Sequence, residues 1–338
     1  MTASAGNLQM ITRAMCFDGG GVGGVFTGTI LRRIHEWNSS VLGMTKVFAG
    51  TSTGSIIACA LALKEPIPPE DIVRIYKQAA PEIFTRKWIY RTIPFDRIFG
   101  TPYQLERLEK ALWEVFGEQK LGDLRKQVFI PTLDGDRRLW GGKRRLADAY
   151  FFNNISQRDY DLNMRIIDVI QASSAAPLFF RPFQNRYMDG GLILNNPSIG
   201  LIAELMDQGI ARENLVVLSV GTGKIAPYID SDNRKIWDLR RFIKPVVASL
   251  TNSNMRVSTK LAHKLLEANY KRFAPSVSKD YQLDETLAMD RLELEANSLE
   301  MNSVYKWLQG FYRLYQLEGA SAIPPLSPLS KSLTDLDK

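Results

Sequence analysis

An α/β fold built on a mainly parallel central sheet is the class the sequence predicts, and three stretches predict it. ITRAMCF ends at Asp18 and gives way to GGGVGG, Gly19 to Gly24, and then to the helically spaced VFTGTILRRIHEW. TKVFAG, from Thr45, ends in Gly50 and is followed, after Thr51, Ser52, Thr53 and Gly54, by a second apolar run with helical spacing. NLVVLSVGTG, Asn214 to Gly223, is a third buried run with a glycine-rich exit. Continuous β-branched runs alternating with helices belong to parallel sheets, whose functional loops gather at the strand carboxyl ends.

The 338 residues suffice for one large or two ordinary domains. With 45% hydrophobic and 23% charged residues, the composition is that of a soluble globular protein. A formal net charge of +7 favours anionic partners, which charge alone does not sort into membrane surface, nucleic acid or nucleotide. Cys16 and Cys59 have neither metal-ligand nor C-x-x-C spacing and read as buried apolar residues in a reducing compartment. The first residues, MTASAGNLQMITRAM, lack the basic start and apolar core of a secretory signal. No apolar run approaches the roughly 18 to 20 residues that span a bilayer. The expectation is a cytosolic protein whose membrane contact is peripheral, with no metal and no cofactor.

In chain order, the first loop has two readings. Gly19, Gly21 and Gly24 satisfy G-x-G-x-x-G, but that dinucleotide fingerprint calls for an acidic residue ending the second strand, where this chain has Ala49-Gly50-Thr51-Ser52. The other reading makes the amides of Gly20, Gly21 and Val22 donors to an oxyanion formed at Ser52; losing one such donor typically costs roughly a hundred- to a thousandfold in rate.

Ser52 is the candidate nucleophile because Gly50 and Gly54 flank it in G-x-S-x-G between a strand and a helix. At such an elbow the strained turn exposes the hydroxyl, and small neighbours are required where strand and helix crowd together. The helix opening at Gly54 points free N–H groups at the same space.

Pro66, Pro68 and Pro69 then break the chain, and EDIVRIYKQAAPEIF resumes as a helix. TRKWIYRTIPFDRIF interleaves Arg86, Lys87, Trp88, Tyr90, Arg91, Phe95 and Arg97, which suits an interfacial lid, a single-stranded nucleic acid site or a plain surface loop. YQLERLEKALWEVFG reads as an amphipathic helix and QVFIPTLD as a strand entering a hairpin whose tip is Gly141-Gly142. Arg137, Arg138, Lys143, Arg144 and Arg145 around that tip form the densest basic cluster, read as solvated charge or as an anion or headgroup contact. RIIDVIQASSAAPLFFRPF reads as a helix ending before Pro177, and RYMDGG presents Asp189 at the end of a very short strand.

Only two histidines exist, His35 and His263, both in helical stretches, which argues against a Ser-His-Asp triad. The base for Ser52 is then a carboxylate, and Asp189 is the best placed; burial near a dry pocket raises a carboxyl pKa toward a workable base. Beyond Tyr228, IWDLRRFIKPVVASL and MRVSTKLAHKLLEANY are helical and charged, KRFAPSV suits an edge strand, and LAMDRLELEANSLEMNSVYKWLQGFYRLYQL closes the folded part as helices.

DGGGVGG, GTSTG, ASSAAP from Ala172 to Pro177, and DGG from Asp189 resemble, in order and rough spacing, the motif set of the patatin-like phospholipases. The resemblance is clear over residues 11–225 and looser over the helical part, 226–318; residues 319–338 read as a Pro/Ser-rich tail. It implies a three-layer α/β/α fold and a calcium-independent Ser-Asp dyad, with Ser52 as nucleophile, Asp189 as base and the backbone of Gly19, Gly20, Gly21 and Val22 as oxyanion hole. It also implies membrane phospholipids as substrate, cleaved through an acyl-Ser52 intermediate. Some bacterial members with this layout are anti-phage effectors switched on by cyclic oligonucleotides, which makes such an activator, with homo-oligomers, a further expectation; nucleic acid is not expected as partner. One position departs from the pattern: the family usually has Lys or Arg where this chain has Gly23, which puts a preference for charged phospholipids in doubt unless Arg137 or Arg138 compensates. A soluble esterase or thioesterase with the same dyad, and a catalytically silent nucleotide- or membrane-binding module, are the competing readings.

Overall fold

A computed structural model describes residues 11–85, 103–139, 144–224 and 239–317; of residues 137–139, 144–145, 239–242, 244 and 311–317 it describes the backbone alone. Among the described residues seven strands form one sheet: β1 (Thr12–Phe17), β2 (Val47–Gly50), β3 (Gln127–Leu139), β4 (Arg144–Asn153), β5 (Tyr187–Asp189), β6 (Leu215–Val220) and β7 (Tyr270–Phe273). Their order is β4-β3-β2-β1-β6-β7, with β5 paired to β3. The β2-β1-β6-β7 block and the β2–β3 pair are parallel, and β4 and β5 run antiparallel to β3.

The main helices are α1 (Gly24–Trp37), α2 (Thr53–Ala62), α3 (Pro69–Ile83), α4 (Leu105–Phe116), α5 (Ile166–Ser174), α6 (Ser198–Asp207), α7 (Leu239–Leu266), α8 (Met289–Ser298) and α9 (Asn302–Leu317). Successive strand residues point to opposite faces, so the sheet feeds two separate cores. Met15, Phe17, Phe48, Val128 and Leu218 join the helices α1 to α5, α8 and α9 on one side. Ala14, Cys16, Val47, Ala49 and Val217 meet Leu201, Ile202 and Leu205 of α6 and Ala262 and Leu266 of α7 on the other. Helices therefore cover both faces, and Cys16 and Cys59 are buried free thiols as expected.

The parallel register sets the site. Phe17 lies beside Gly50 on one side and Val220 on the other, so three strands end level and the loops at 18–23, 51–53 and 221–224 rise together. On the far side of β2, Thr132 of β3 pairs with Asp189 of β5. β7 is the edge strand that KRFAPSV suggested.

α7 departs from the sequence reading, which had two helical stretches on either side of Thr251 to Asn254. It is one helix of 28 residues that runs through Pro245. Side-chain clamps from Asn254 and Ser258 to the Gly191–Ile199 segment hold its middle in place. The aromatic-basic stretch 86–97, the hairpin tip with Lys143, and the tail 319–338 lie outside the described residues.

Candidate active site

Ser52 occupies the turn between β2 and α2 with φ 51° and ψ −122°, a left-handed conformation that a non-glycine residue holds only when its surroundings enforce it. The enforcement is visible. A Cβ on Gly50 would stand 2.0 Å from the Gly54 carbonyl oxygen, and one on Gly54 would stand 2.3 Å from the Phe17 carbonyl oxygen. Thr51 donates its hydroxyl to the Leu194 carbonyl at 2.7 Å, and the Thr53 hydroxyl donates to Tyr76 Oη at 2.8 Å. The backbone N–H of Ser52 donates to Ser173 Oγ at 3.0 Å.

Asp189 ends β5, as the sequence reading placed it, and is 7% exposed. Its N–H donates to the Ala175 carbonyl at 3.1 Å and its Oδ1 accepts the Gly191 N–H at 2.7 Å. Burial pushes its carboxyl up to about 6, an effect tempered by the Gly191 N–H and by the Ser52 hydroxyl beside it. The fold thus brings together the two residues the sequence had singled out, 137 positions apart (189 − 52). The ASSAAP motif acquires its physical role here. Ser173 takes the Ser52 N–H, and the Ser173 and Ala175 carbonyls take those of Gly190 and Asp189, so one short segment positions both ends of the dyad.

The glycine loop faces the same space, with its four expected donors in different situations. Gly19 donates its N–H to the Asn195 carbonyl at 3.1 Å, and Val22 donates to the Leu283 carbonyl at 2.9 Å. Among the described residues the Gly20 and Gly21 amides have no acceptor. Val22 was expected to offer its amide to an oxyanion; its N–H is instead occupied by a segment 261 positions later in the chain (283 − 22), a partner invisible to local sequence reading. Gly21 sits at φ 58°, where a Cβ would be 2.2 Å from the Leu283 oxygen. Asp18, at the root of the loop, forms a bidentate ion pair with Arg272 of β7, one contact at 2.7 Å; Arg272 also donates to Ser219 Oγ at 2.7 Å.

These groups open into a cavity of about 320 Å³ lined by Gly19 to Val22, Ser52 and Asp189 at one end. Beyond them Ile56, Ile72, Ile83, Leu108, Leu112 and Phe179 continue it between α2, α3 and α4 as an apolar channel. Neither histidine lines it; both lie on helices, His35 on α1 and His263 on α7.

The absent basic residue at Gly23 has a steric reason: a Cβ there would stand 2.0 Å from Tyr281 Oη, which donates to the Thr222 carbonyl. Lys224 brings a cation to the same cavity. It lines the cavity, with Nζ 4.1 Å from the centre of the Tyr281 ring and bonded to the Tyr281 carbonyl, and burial lowers its pKa. Arg137 and Arg138 lie on β3, opposite Leu146 and Arg145, and their side chains are outside the description. Sequence reading missed Ser173, Asn195, Lys224, Arg272 and Leu283, because each acts from a different segment with no motif of its own beyond ASSAAP.

The comparisons agree with this architecture. The family model described as patatin-like phospholipase matches residues 15–202, more than half of the chain. CotR, named as a sporulation hydrolase of Bacillus subtilis (strain 168), is 32% identical over 66% of this chain and 66% of its own length. Patatin-like protein 4 of Arabidopsis thaliana is 26% identical over 88% of this chain and 86% of that protein. The cGAMP-activated phospholipase of Escherichia coli (strain TW11681) is 28% identical over 62% of each chain. The matches thus span about two thirds of the length of the two bacterial relatives. With all four motifs inside or beside the matched span and assembled around one cavity, the chain belongs to the patatin-like phospholipase family.

Proposed function

We propose that the protein is a calcium-independent acyl hydrolase of phospholipase A type, with Ser52 as nucleophile and Asp189 as its base. The observation that carries this reading is the Ser52 hydroxyl beside a buried Asp189, both lining one largely apolar cavity together with the glycine loop.

In the proposed reaction Asp189 removes the Ser52 proton as Oγ attacks the ester carbonyl carbon. The Gly20 and Gly21 amides, with the N-terminus of α2, stabilise the oxyanion of the tetrahedral intermediate. Collapse breaks the ester bond; Asp189 returns the proton to the departing lysolipid alcohol, and the acyl group stays on Ser52. Water deprotonated by Asp189 then attacks the acyl carbonyl and releases the fatty acid, restoring Ser52. The channel between α2, α3 and α4 holds the acyl chain, and Lys224 on the cavity wall is the cation for a headgroup phosphate. A cavity of about 320 Å³ with so apolar a lining favours a lipid over a short soluble ester.

The name of the Escherichia coli relative suggests a cyclic dinucleotide as activator of this chain as well, in an anti-phage setting. The test is fatty-acid release from phospholipid vesicles by the full chain in the presence of chelator, with and without cGAMP. Release that is lost in Ser52→Ala and in Asp189→Asn supports the hydrolase; dependence on cGAMP supports the switch. Hydrolysis of dispersed short esters with intact vesicles untouched would move the assignment to a soluble esterase, and no hydrolysis of either would leave a binding module.

A further inference from the structure

α7 has two faces with different destinations. Its inner face belongs to the site: Thr251, Asn252 and Met255 line the cavity. Asn254 accepts the Asn195 N–H at 2.9 Å and donates to the Gly191 carbonyl at 2.8 Å. The remaining surface carries Ile243, Leu250, Val257 and Leu261, exposed by 37%, 57%, 55% and 44%. Their spacings of seven, seven and four residues put them on a single stripe of the helix. Scattered apolar residues at a surface need no explanation; a row of four along one helix beside the cavity does.

The charge on the helix is of one sign. Residues 239–266 contain Arg240, Arg241, Lys244, Arg256, Lys260 and Lys264 and no aspartate or glutamate. Lys260 and Lys264 are exposed beside Val257 and Leu261 in sequence. A helix with an apolar stripe, basic flanks and no acid matches an anionic lipid surface in both hydrophobicity and sign. Among the described residues no helix is long and apolar enough to cross a membrane.

We propose that the outer face of α7, Ile243, Leu250, Val257 and Leu261 with Lys260 and Lys264, is the surface by which the protein docks on an anionic bilayer. The proposal deepens the phospholipase reading above and rests on it: docking through α7 brings the rim of the cavity to the lipid from which the acyl chain enters.

The experiment is sedimentation of the full chain with vesicles of phosphatidylglycerol and phosphatidylethanolamine, and with vesicles of phosphatidylcholine. Every arm carries Ser52→Ala so that the vesicles stay intact. Leu250→Asp with Val257→Asp is expected to weaken binding to the anionic vesicles at least roughly tenfold. Lys260→Glu with Lys264→Glu is expected to abolish the preference for anionic over neutral vesicles and its sensitivity to salt. Melting curves confirm folding; should the apolar pair fail to fold, the charge pair alone decides. Unchanged binding in the folded variants overturns the proposal. So does conversion of a lipid-free dimer into a monomer by the apolar pair, which would assign the face to a second copy. Weakened binding, together with no vesicle hydrolysis by the unsubstituted protein, would keep the docking face and remove the hydrolase; vesicle hydrolysis with unchanged binding would remove the face alone.

Discussion

Ser173 Oγ accepts the backbone N–H of Ser52 at 3.0 Å and donates its own proton to the Pro131 carbonyl at 2.7 Å. One hydroxyl thereby ties the nucleophile's turn to β3, the strand that also pairs with the strand carrying Asp189. Ser173→Ala leaves the Ser52 N–H without its acceptor and frees the turn to relax out of its left-handed conformation. The expected result is a kcat lower by roughly ten- to a hundredfold with KM little changed, since position rather than substrate binding is lost. A parallel fall in melting temperature with unchanged kcat would assign Ser173 a purely structural role.

The raised pKa of Asp189 fixes the pH profile. With the carboxyl at about 6, kcat/KM should rise with unit slope below that pH and level off above it. The stability consequence has the opposite sign. A folded pKa above the unfolded value of about 3.9 favours the protonated acid in the fold, so its contribution is complete below about pH 4 and is lost as pH rises through 6. Asp189→Asn should therefore unfold less readily than the parent above pH 6, by up to about 3 kcal/mol, and not below pH 4. Denaturant titrations at the two ends of that window measure the difference.

Asp18 and Arg272 make a buried pair whose halves are not equivalent to remove. Arg272→Met strands a buried carboxylate and should cost about 3 to 5 kcal/mol, whereas adding Asp18→Asn should return much of it. Chemical denaturation of the single and double variants gives the coupling. Because Asp18 adjoins Gly19, the single variant should also lose activity through the glycine loop.

Chain-length selectivity should follow the walls of the channel. Ala79 of α3 is half-buried on its lining. Ala79→Phe shortens the space and should shift the preferred acyl chain to a shorter one with little change in rate for the shortest; gas chromatography of the released acids reads this out.

Much of this was legible because it is local. A strand that ends in glycine, a serine and a second glycine announces the elbow: Gly50 must be small because the Gly54 backbone four residues on lies against it, while the Phe17 backbone that crowds Gly54 comes from the neighbouring strand. The shortage of histidines pointed to a carboxylate, and Asp189, at the end of a short strand with two glycines after it, was the best placed. What could not be read is what the sheet brings from afar. Leu283 occupies the Val22 amide, Tyr281 fills the place beside Gly23, and Arg272 neutralises Asp18, all from a segment more than 240 residues after the glycine loop. Their side chains are ordinary, and only tertiary register gives them a role. The same holds for α7: its composition is visible in sequence, but which side faces the cavity is decided by Asn254 and Ser258.

The central claim is that Ser52 is the nucleophile and Asp189 its base. Its most direct test is labelling of the full chain with a long-chain alkyl fluorophosphonate, followed by mass spectrometry of the digested protein. The account predicts a single adduct on the peptide containing Ser52, absent in Ser52→Ala and formed at least roughly a hundredfold more slowly in Asp189→Asn. No adduct, an adduct on another residue, or an undiminished rate in Asp189→Asn would contradict it.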